Sequence, residues 1–210
     1  MDEPKKTIRF IDPSYNDKFR IPDGGKVEIN YRNGERAERT CGYIDAYHLR
    51  FGSNVFHICE LAEHMDSIGA TLRPLAGEDE MVAVICTPHR KATLAVIDKD
   101  LESLQGYVGG YIEAVYPFED PNLALICNEN GKFEGLAPCR GLTDENSRLY
   151  DIVCGQFIVC GVGEDDFCSL TGPQQDAMMK KFYLPERFVR TEHGILAEAY
   201  DDRRSPSFGI

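Results

Sequence analysis

The sequence predicts an α+β protein made of two small modules, in which mostly antiparallel strands pack with a few helices. Short segments that alternate apolar and polar residues recur along the chain, as in residues 26–32, and this alternation is typical of half-buried strands. Turn-forming pairs such as Asn33-Gly34 separate these segments. Segments with helical spacing are few and short, which favours a strand-rich α+β class.

The composition indicates a folded chain with a sizeable core. Its 210 residues are 42% hydrophobic, enough for one large or two small domains. No apolar run approaches the ~20 residues that cross a bilayer, and no basic stretch leads into an apolar one near Met1, as a signal peptide would require. We therefore expect a cytoplasmic protein that does not contact membranes.

In the N-terminal part, the pattern predicts a strand at Thr7–Ile11 and a hairpin. The hairpin would pair residues 27–31 with 35–43 through a type I′ turn at Asn33-Gly34. A helix capped by Ser53 or Asn54 follows, with a left-handed residue at Gly69 just past its end. A further strand is expected at 71–74.

In the C-terminal part, strands are expected at 81–86, 92–97, 111–116, 123–127 and 150–161, the last bent at Gly155. A short helix would start at Asp98 or Asp100 and end at Gly109-Gly110. Thr171 and Gln174 have the spacing of a capping box and predict a second helix.

The polar segment 76–80 is the expected domain boundary. It divides the chain into an N-terminal α+β module at 1–75 and an acidic α+β domain at 81–190, and residues 191–210 read as a loose charged tail. The eight cysteines lie mostly inside apolar runs, which favours reduced thiols in the core over disulfides or a metal site.

The net charge of −12 is unevenly spread along the chain. Residues 1–75 contain 11 basic and 12 acidic residues, whereas 76–210 contain 12 basic and 23 acidic residues. Such a surplus disfavours direct binding of nucleic acid and suits a basic protein surface, although solubility alone would also account for it. Glu164-Asp165-Asp166 is a compact acidic segment that is consistent with a solvated turn, a cation site or a contact with a basic partner.

One candidate metal site lies on the first expected helix. His57, Glu60 and His64 are three and four residues apart, which places them on one helical face, and His48 lies just upstream. Two histidines and a glutamate can hold zinc with water as a fourth ligand, but an ordinary polar helix face has the same pattern. No serine or cysteine has the local context of a catalytic nucleophile, so the sequence predicts a non-enzymatic protein without a cofactor.

Two stretches resemble known domain families. The first spans residues near 100–182 and is carried by Asp100-Leu101-Glu102-Ser103-Leu104-Gln105, Val108-Gly109-Gly110-Tyr111-Ile112-Glu113, Asp151-Ile152-Val153-Cys154-Gly155 and Glu164-Asp165-Asp166-Phe167-Cys168-Ser169. It resembles an uncharacterised domain family of gut bacteria, their phages and conjugative elements. The second spans about 20–74 and is carried by Pro22-Asp23-Gly24-Gly25, Tyr43-Ile44-Asp45 and Phe56-His57-Ile58-Cys59-Glu60. It resembles a module associated with the large polyvalent proteins of mobile elements.

These resemblances imply a mobile-element or phage setting, in which accessory proteins often neutralise host restriction enzymes or CRISPR nucleases. Together with the charge, they predict a counter-defence protein that binds a basic surface on such a nuclease. The expected contact residues are Glu119, Asp120, Glu164, Asp165 and Asp166. The alternatives are a metal-binding module or small metal-dependent enzyme that uses the His57 helix, and a regulatory interaction module of the mobile element.

Overall fold

The computed structural model describes residues 6–192 and 194–201. In chain order, its strands are β1 (Thr7–Ile11), β2 (Asp17–Pro22), β3 (Lys26–Asn30), β4 (Arg36–Tyr43), β5 (His48–Phe51), β6 (Asn54–His57), β7 (Thr71–Leu75), β8 (Glu80–Cys86), β9 (Thr93–Asp98), β10 (Ile112–Val115), β11 (Leu123–Asn128), β12 (Pro138–Thr143), β13 (Leu149–Cys154), β14 (Phe157–Val162), β15 (Phe167–Cys168), β16 (Glu186–Thr191) and β17 (Gly194–Ala199). The helices are α1 (Ile58–Ser67), α2 (Leu101–Val108) and α3 (Gly172–Phe182). The strands are mostly antiparallel, which agrees with the predicted α+β class, and they contain more residues than the three helices do.

The largest sheet has the strand order β1-β2-β9-β8-β14-β11-β10, and β15 pairs with the end of β14. β2 and β9 run parallel, with Phe19 opposite Leu94, while the other neighbours along this order are antiparallel. This sheet joins β1 and β2, from the predicted N-terminal module, to strands of the predicted acidic domain. The division into two separate modules stays a prediction.

A second sheet, β6-β5-β4-β3-β7, lies in the N-terminal part and packs with α1 around one core. Val27, Ile29 and Leu49 are almost completely buried there, together with Leu61 of α1. Burial of each such side chain stabilises the fold by about 1.5–3 kcal/mol. The large sheet carries a separate cluster on each face, one with α3 and one with α2.

The hairpin of β3 and β4 is confirmed, but its turn is not type I′. Gly34 has a φ of 87°, whereas the described non-glycine residues with positive φ are Tyr15, His89 and Ser147. Tyr31 closes the turn by donating its N–H to the Glu35 oxygen at 2.9 Å. The connection is therefore the longer kind, in which only the glycine takes the left-handed conformation.

The first helix begins later than the sequence indicates. Asn54–His57 form β6, paired with β5 across a tight turn at Gly52, whose φ is 62°. His57 rather than Ser53 or Asn54 is therefore the N-cap of α1. Pairing with β5 overrides the helical spacing of Val55 and Phe56, because tertiary contacts outweigh local propensity.

The other two helices confirm their predicted ends. Asp100 caps α2, and its Oδ1 accepts the N–H of Ser103 at 3.0 Å, while Gly109 ends the helix with a φ of 74°. Thr171 is the N-cap of α3, and the Oε1 of Gln174 accepts its N–H at 3.0 Å. Local chemistry sets these boundaries, so the sequence alone was sufficient to find them.

Two predictions for the C-terminal part are wrong. Residues 150–161 are not one bent strand, because Gly155, with a φ of 82°, ends β13, and the chain then enters the large sheet as β14. Residues 194–199 are not loose, because β17 pairs with β16, and Arg187 Nη2 lies 2.7 Å from Glu198 Oε2. Residues 193 and 202–210 of the expected tail lie outside the described residues.

The eight cysteines are free thiols. Five of them are buried: Cys41, Cys86, Cys127, Cys139 and Cys160. Within the described part of the chain, none of the helices has the length and apolar character needed to cross a bilayer.

Candidate functional site

Four acidic segments meet at one end of the large sheet. β8 begins and β9 ends there, since Glu80 pairs with Asp98. β11 begins and β14 ends there as well, since Leu123 pairs with Gly161. We call the segments 77–80, 98–102, 119–122 and 163–166 the acidic pole. Its carboxylates belong to Glu78, Asp79, Glu80, Asp98, Asp100, Glu102, Glu119, Asp120, Glu164, Asp165 and Asp166.

Hydrogen bonds between the segments hold the acidic pole together. The Asn122 oxygen accepts the N–H of Val162 at 2.9 Å, which joins the second pair of segments. The N–H of Lys99 donates to the Asp79 oxygen at 3.1 Å, which joins the first pair. Lys99 is the single basic residue of these segments, and its Nζ lies 3.8 Å from Asp166 Oδ2. The end of the sheet is therefore a concentrated negative surface.

Asp120 serves mainly to build its own turn. Its Oδ2 accepts the side-chain amide of Gln174 at 2.8 Å, and its Oδ1 accepts the N–H of Asn122 at 2.9 Å. The hydrogen bond from Gln174, followed by those from Asn122, lowers the pKa of Asp120 below its ordinary value. The carboxylate is therefore ionised at neutral pH and is committed to anchoring the segment 119–122 beside α3.

Asp166 has a local structural role like that of Asp120, whereas Glu119, Glu164 and Asp165 are more available. The Oδ1 of Asp166 accepts the N–H of Phe167 at 2.8 Å, and its backbone oxygen closes the turn with Gly163 at 2.8 Å. Glu119, Glu164 and Asp165 are exposed. The structure therefore brings the two predicted acidic stretches to one end of the large sheet, where these three side chains are exposed to solvent.

Half of the acidic pole is not predicted by the sequence pattern. The segment 76–80 resembles a domain boundary, and Asp98 and Asp100 resemble helix caps only. Asp100 does cap α2, and hydrogen bonds from Ser103 lower its pKa. Glu80 lies opposite Asp98, an unfavourable pairing of like charges across two strands. The available signal was a cluster of acidic residues at each of several strand ends, but only the strand order shows that those ends are neighbours.

Exposed apolar side chains accompany the acidic pole. Leu101 lies within it and is 59% exposed, and Tyr116, which follows β10 just before the segment 119–122, is 61% exposed. Protein interfaces combine apolar or aromatic anchors with a charged rim. This edge of the molecule has both components.

The predicted metal ligands are only partly brought together. His57 and Glu60 make side-chain hydrogen bonds to the backbone at the start of α1. Cys59 donates its N–H to His57 Nδ1 at 3.2 Å, and His57 donates its own N–H to Glu60 Oε2 at 3.2 Å. His48 lies against His57 with ring centroids 5.2 Å apart, and its Nδ1 is 3.0 Å from Asp45. These contacts hold the start of α1 and engage Nδ1 of both histidines and one oxygen of Glu60.

His64 faces a different neighbour, since its ring stacks on Phe56 with centroids 6.2 Å apart. Across residues 6–192 and 194–201, no group of three or more His, Cys, Asp or Glu side chains is arranged to hold a metal ion. The metal hypothesis stays a prediction without geometric support.

The buried cysteines are unsuited to nucleophilic chemistry. Burial raises the pKa of the Cys41, Cys139 and Cys160 thiols to about 12. Burial also raises the pKa of Cys86 well above its ordinary value, although Arg140 acts in the opposite direction. Because the thiolate is the reactive form, these groups are inert at neutral pH and act as small apolar side chains.

The C-terminal part of the chain is similar to a known protein family. Residues 81–183 match the model of a family described as Domain of unknown function (DUF3846). Neither the curated proteins nor the solved structures provide a match. The expected resemblance of residues near 100–182 to an uncharacterised family is confirmed, whereas the mobile-element origin and the preceding module stay predictions. The segment from β8 to the end of α3, which carries most of the acidic pole, is thus similar to a family of unknown function.

Proposed function

We propose that this chain is a non-enzymatic binding protein whose acidic pole docks on a basic surface of a partner protein. The observation that carries the proposal is the convergence of four acidic segments on one edge, with Lys99 as their single basic residue. Clustered charge of one sign raises the rate of encounter with an oppositely charged partner. Leu101 supplies an exposed apolar contact at the same place.

The partner class that we propose is a host nuclease of the restriction or CRISPR type. Such an enzyme holds the phosphates of its substrate in a basic groove, and a compact set of carboxylates offers that groove a competing set of negative charges. The mobile-element setting that the sequence resemblance predicts is the reason for this choice of partner. Binding there would make the chain a counter-defence inhibitor.

The test is inhibition of DNA cleavage by purified restriction and CRISPR nucleases, together with the affinity of the chain for each enzyme. Glu164→Lys with Asp165→Lys reverses two exposed charges of the acidic pole without touching the hydrogen bonds of Asp120 or Asp166. We expect this variant to bind and inhibit roughly tenfold less well or worse. We also expect the affinity of the wild type to decrease as the salt concentration rises from about 50 to 300 mM.

The matched control is Glu129→Lys with Glu145→Lys, which makes the same change in net charge at exposed positions outside the acidic pole. It should bind as the wild type does. Inhibition that responds neither to salt nor to reversal at Glu164 and Asp165 would overturn the proposed docking. If the acidic pole instead binds a protein encoded by a mobile element and the chain affects no nuclease, the result would favour the regulatory interaction module.

A further inference from the structure

A cavity of about 630 Å³ lies on the α2 side of the large sheet, towards the end opposite the acidic pole. Its walls come from β1, β2, the turn at 87–91 and the end of α2. This volume is within the range of about 300–1,000 Å³ typical of small-molecule sites. Its charge is opposite to that of the acidic pole, so it requires a separate explanation.

Two arginines stand side by side in the cavity. Arg9 of β1 is the cross-strand partner of Arg20 of β2, which in turn lies opposite Ala95 of β9. Both guanidinium groups bind the carboxylate of Asp17, Arg20 through Nη2 at 3.1 Å. One carboxylate cannot neutralise two guanidinium groups, and a guanidinium has five N–H donors. The pair therefore keeps a positive charge and donors for a ligand.

More positive charge lies across the cavity. Arg90 and Lys91 line it from the turn after β8, and Lys91 Nζ is 3.0 Å from Asp201 Oδ2. The lining thus has four Lys or Arg side chains and two carboxylates, in a protein whose net charge is −12. The small side chain of Ala95 leaves the floor between these walls open.

The backbone is strained at two places on the cavity wall. Tyr15 has a φ of 63° and His89 a φ of 62°, conformations that bulky side chains disfavour. Among the described non-glycine residues, Ser147 alone shares this feature. Asp12 holds the Tyr15 turn by accepting the N–H groups of Ser14 and Asn16 at 2.8 and 2.9 Å. Strain that the surroundings enforce in this way is typical of ligand-binding segments.

A buried cation holds the second strained turn. Arg140 is completely buried, and its Nη2 donates to the Arg90 oxygen at 2.8 Å. The next residues are fixed as well, since the N–H of Ala92 donates to the Tyr183 oxygen at 2.9 Å. The basic turn 87–91 is therefore positioned by the interior of the protein, as a preorganised site requires.

Flat aromatic surfaces complete the cavity. Tyr15, Tyr107 and Tyr183 line it, and Lys91 Nζ lies 5.1 Å from the centroid of the Tyr183 ring. Gln156 is held in place at the base, because its Oε1 accepts the hydroxyl of Thr87 at 2.7 Å. Tyrosine rings can stack on a planar heterocycle, and paired arginines suit a phosphate because they offer bidentate donors.

We propose that this cavity binds a small organic phosphate of nucleotide size. Arg9 and Arg20 hold the phosphate groups, the turn that carries Arg90 and Lys91 adds charge from the other side, and the tyrosine rings contact the ring system. The cavity is distinct from the acidic pole, so the test of phosphate binding is independent of the test of partner docking.

The test is calorimetric titration of the full chain with ADP, inorganic pyrophosphate and adenosine. We expect ADP to bind best, pyrophosphate to bind more weakly, and adenosine to bind roughly tenfold more weakly than ADP or worse. Arg9→Gln with Arg20→Gln should lower ADP affinity by roughly tenfold or more. Arg36→Gln, on exposed β4 outside the cavity, is the matched control and should leave the affinity unchanged.

A second variant protects the test against loss of folding. Arg90→Gln removes an exposed side chain but keeps the backbone oxygen that Arg140 binds, and it should still weaken ADP binding by several-fold. The proposal is overturned if neither ADP nor pyrophosphate binds at about 5 mM, a concentration at which a site with a Kd of about 1 mM would be mostly occupied. It is equally overturned if adenosine binds as tightly as ADP, or if folded variants bind ADP as the wild type does.

Discussion

Replacement of Arg140 by methionine should destabilise the fold strongly. The side chain is completely buried, and its three donor nitrogens bind backbone carbonyls. Nε donates to Phe182 at 3.1 Å, Nη1 to Cys139 at 2.9 Å and Nη2 to Arg90 at 2.8 Å. This one guanidinium therefore joins the end of α3, strand β12 and the turn after β8.

The magnitude follows from the bonds that are lost. Three hydrogen bonds from a charged donor, at about 1.5 kcal/mol each, amount to about 4–5 kcal/mol, and methionine leaves the three carbonyls unpaired. Removal of a buried charge returns part of this amount. We expect the free energy of unfolding to fall by about 3 kcal/mol, a large share of the roughly 5–15 kcal/mol that stabilises most domains.

Urea unfolding followed by circular dichroism measures this change, since the chain has no tryptophan to serve as a fluorescent probe. Arg148→Met is the matched control, because Arg148 is exposed in the turn between β12 and β13, and it should change stability by less than about 0.5 kcal/mol. Arg140→Lys should recover little, because one ammonium cannot reproduce the guanidinium fork. A loss below about 1 kcal/mol for Arg140→Met would refute the reasoning.

Three further predictions concern strain, thiol ionisation and metal. Tyr15→Asn should raise the free energy of unfolding by roughly 0.5–1 kcal/mol, because asparagine tolerates a left-handed backbone, and it should weaken ADP binding; a destabilised variant in urea unfolding would contradict the strain. Burial raises the pKa of the Cys41, Cys139 and Cys160 thiols from 9.0 to about 12, so their contribution to stability is complete below pH 9 and is lost as the pH rises from 9 towards 12. Urea midpoints should therefore fall in this window less steeply for a variant with all three cysteines replaced by alanine, and identical slopes would exclude this cause. Elemental analysis of protein purified without chelator should find less than about a tenth of an equivalent of metal. His57→Ala should lower the free energy of unfolding by about 1 kcal/mol, because the N-cap of α1 is lost. One equivalent of zinc in the wild type that is absent from His57→Ala would restore the metal hypothesis.

The elements that the sequence predicted well are those with local chemical signals. Asp100 and Gly109 mark the ends of α2, and Thr171 marks the start of α3, because caps depend on residues within one turn of the helix. The apolar runs that become β8, β9 and β11 were found because few alternatives bury such segments.

The misassigned elements depend on distant partners. His57 becomes a cap only because β6 pairs with β5, and β17 forms because β16 is available, although its residues lack a buried alternating face. The parallel contact of β2 with β9 links residues far apart in the chain. Pairing of this kind is specified by the whole fold and not by the pattern of either strand.

The same limit applies to the candidate sites. The charge bias of residues 76–210 indicated an acidic surface, but its extent depends on the strand order that brings Glu80, Asp98 and Glu164 to one edge. The cavity had no sequence signal at all, because Arg9 and Arg20 are ordinary exposed-face residues of two strands until Asp17 binds both.

The most direct test of the central claim is the affinity of the charge-reversed chain, with lysine at positions 164 and 165, for a purified nuclease that the wild type inhibits. The acidic-pole account predicts a Kd roughly tenfold higher or more than that of the wild type, with reversal at Glu129 and Glu145 leaving the Kd unchanged. Equal Kd values for the wild type and the pole variant would contradict it.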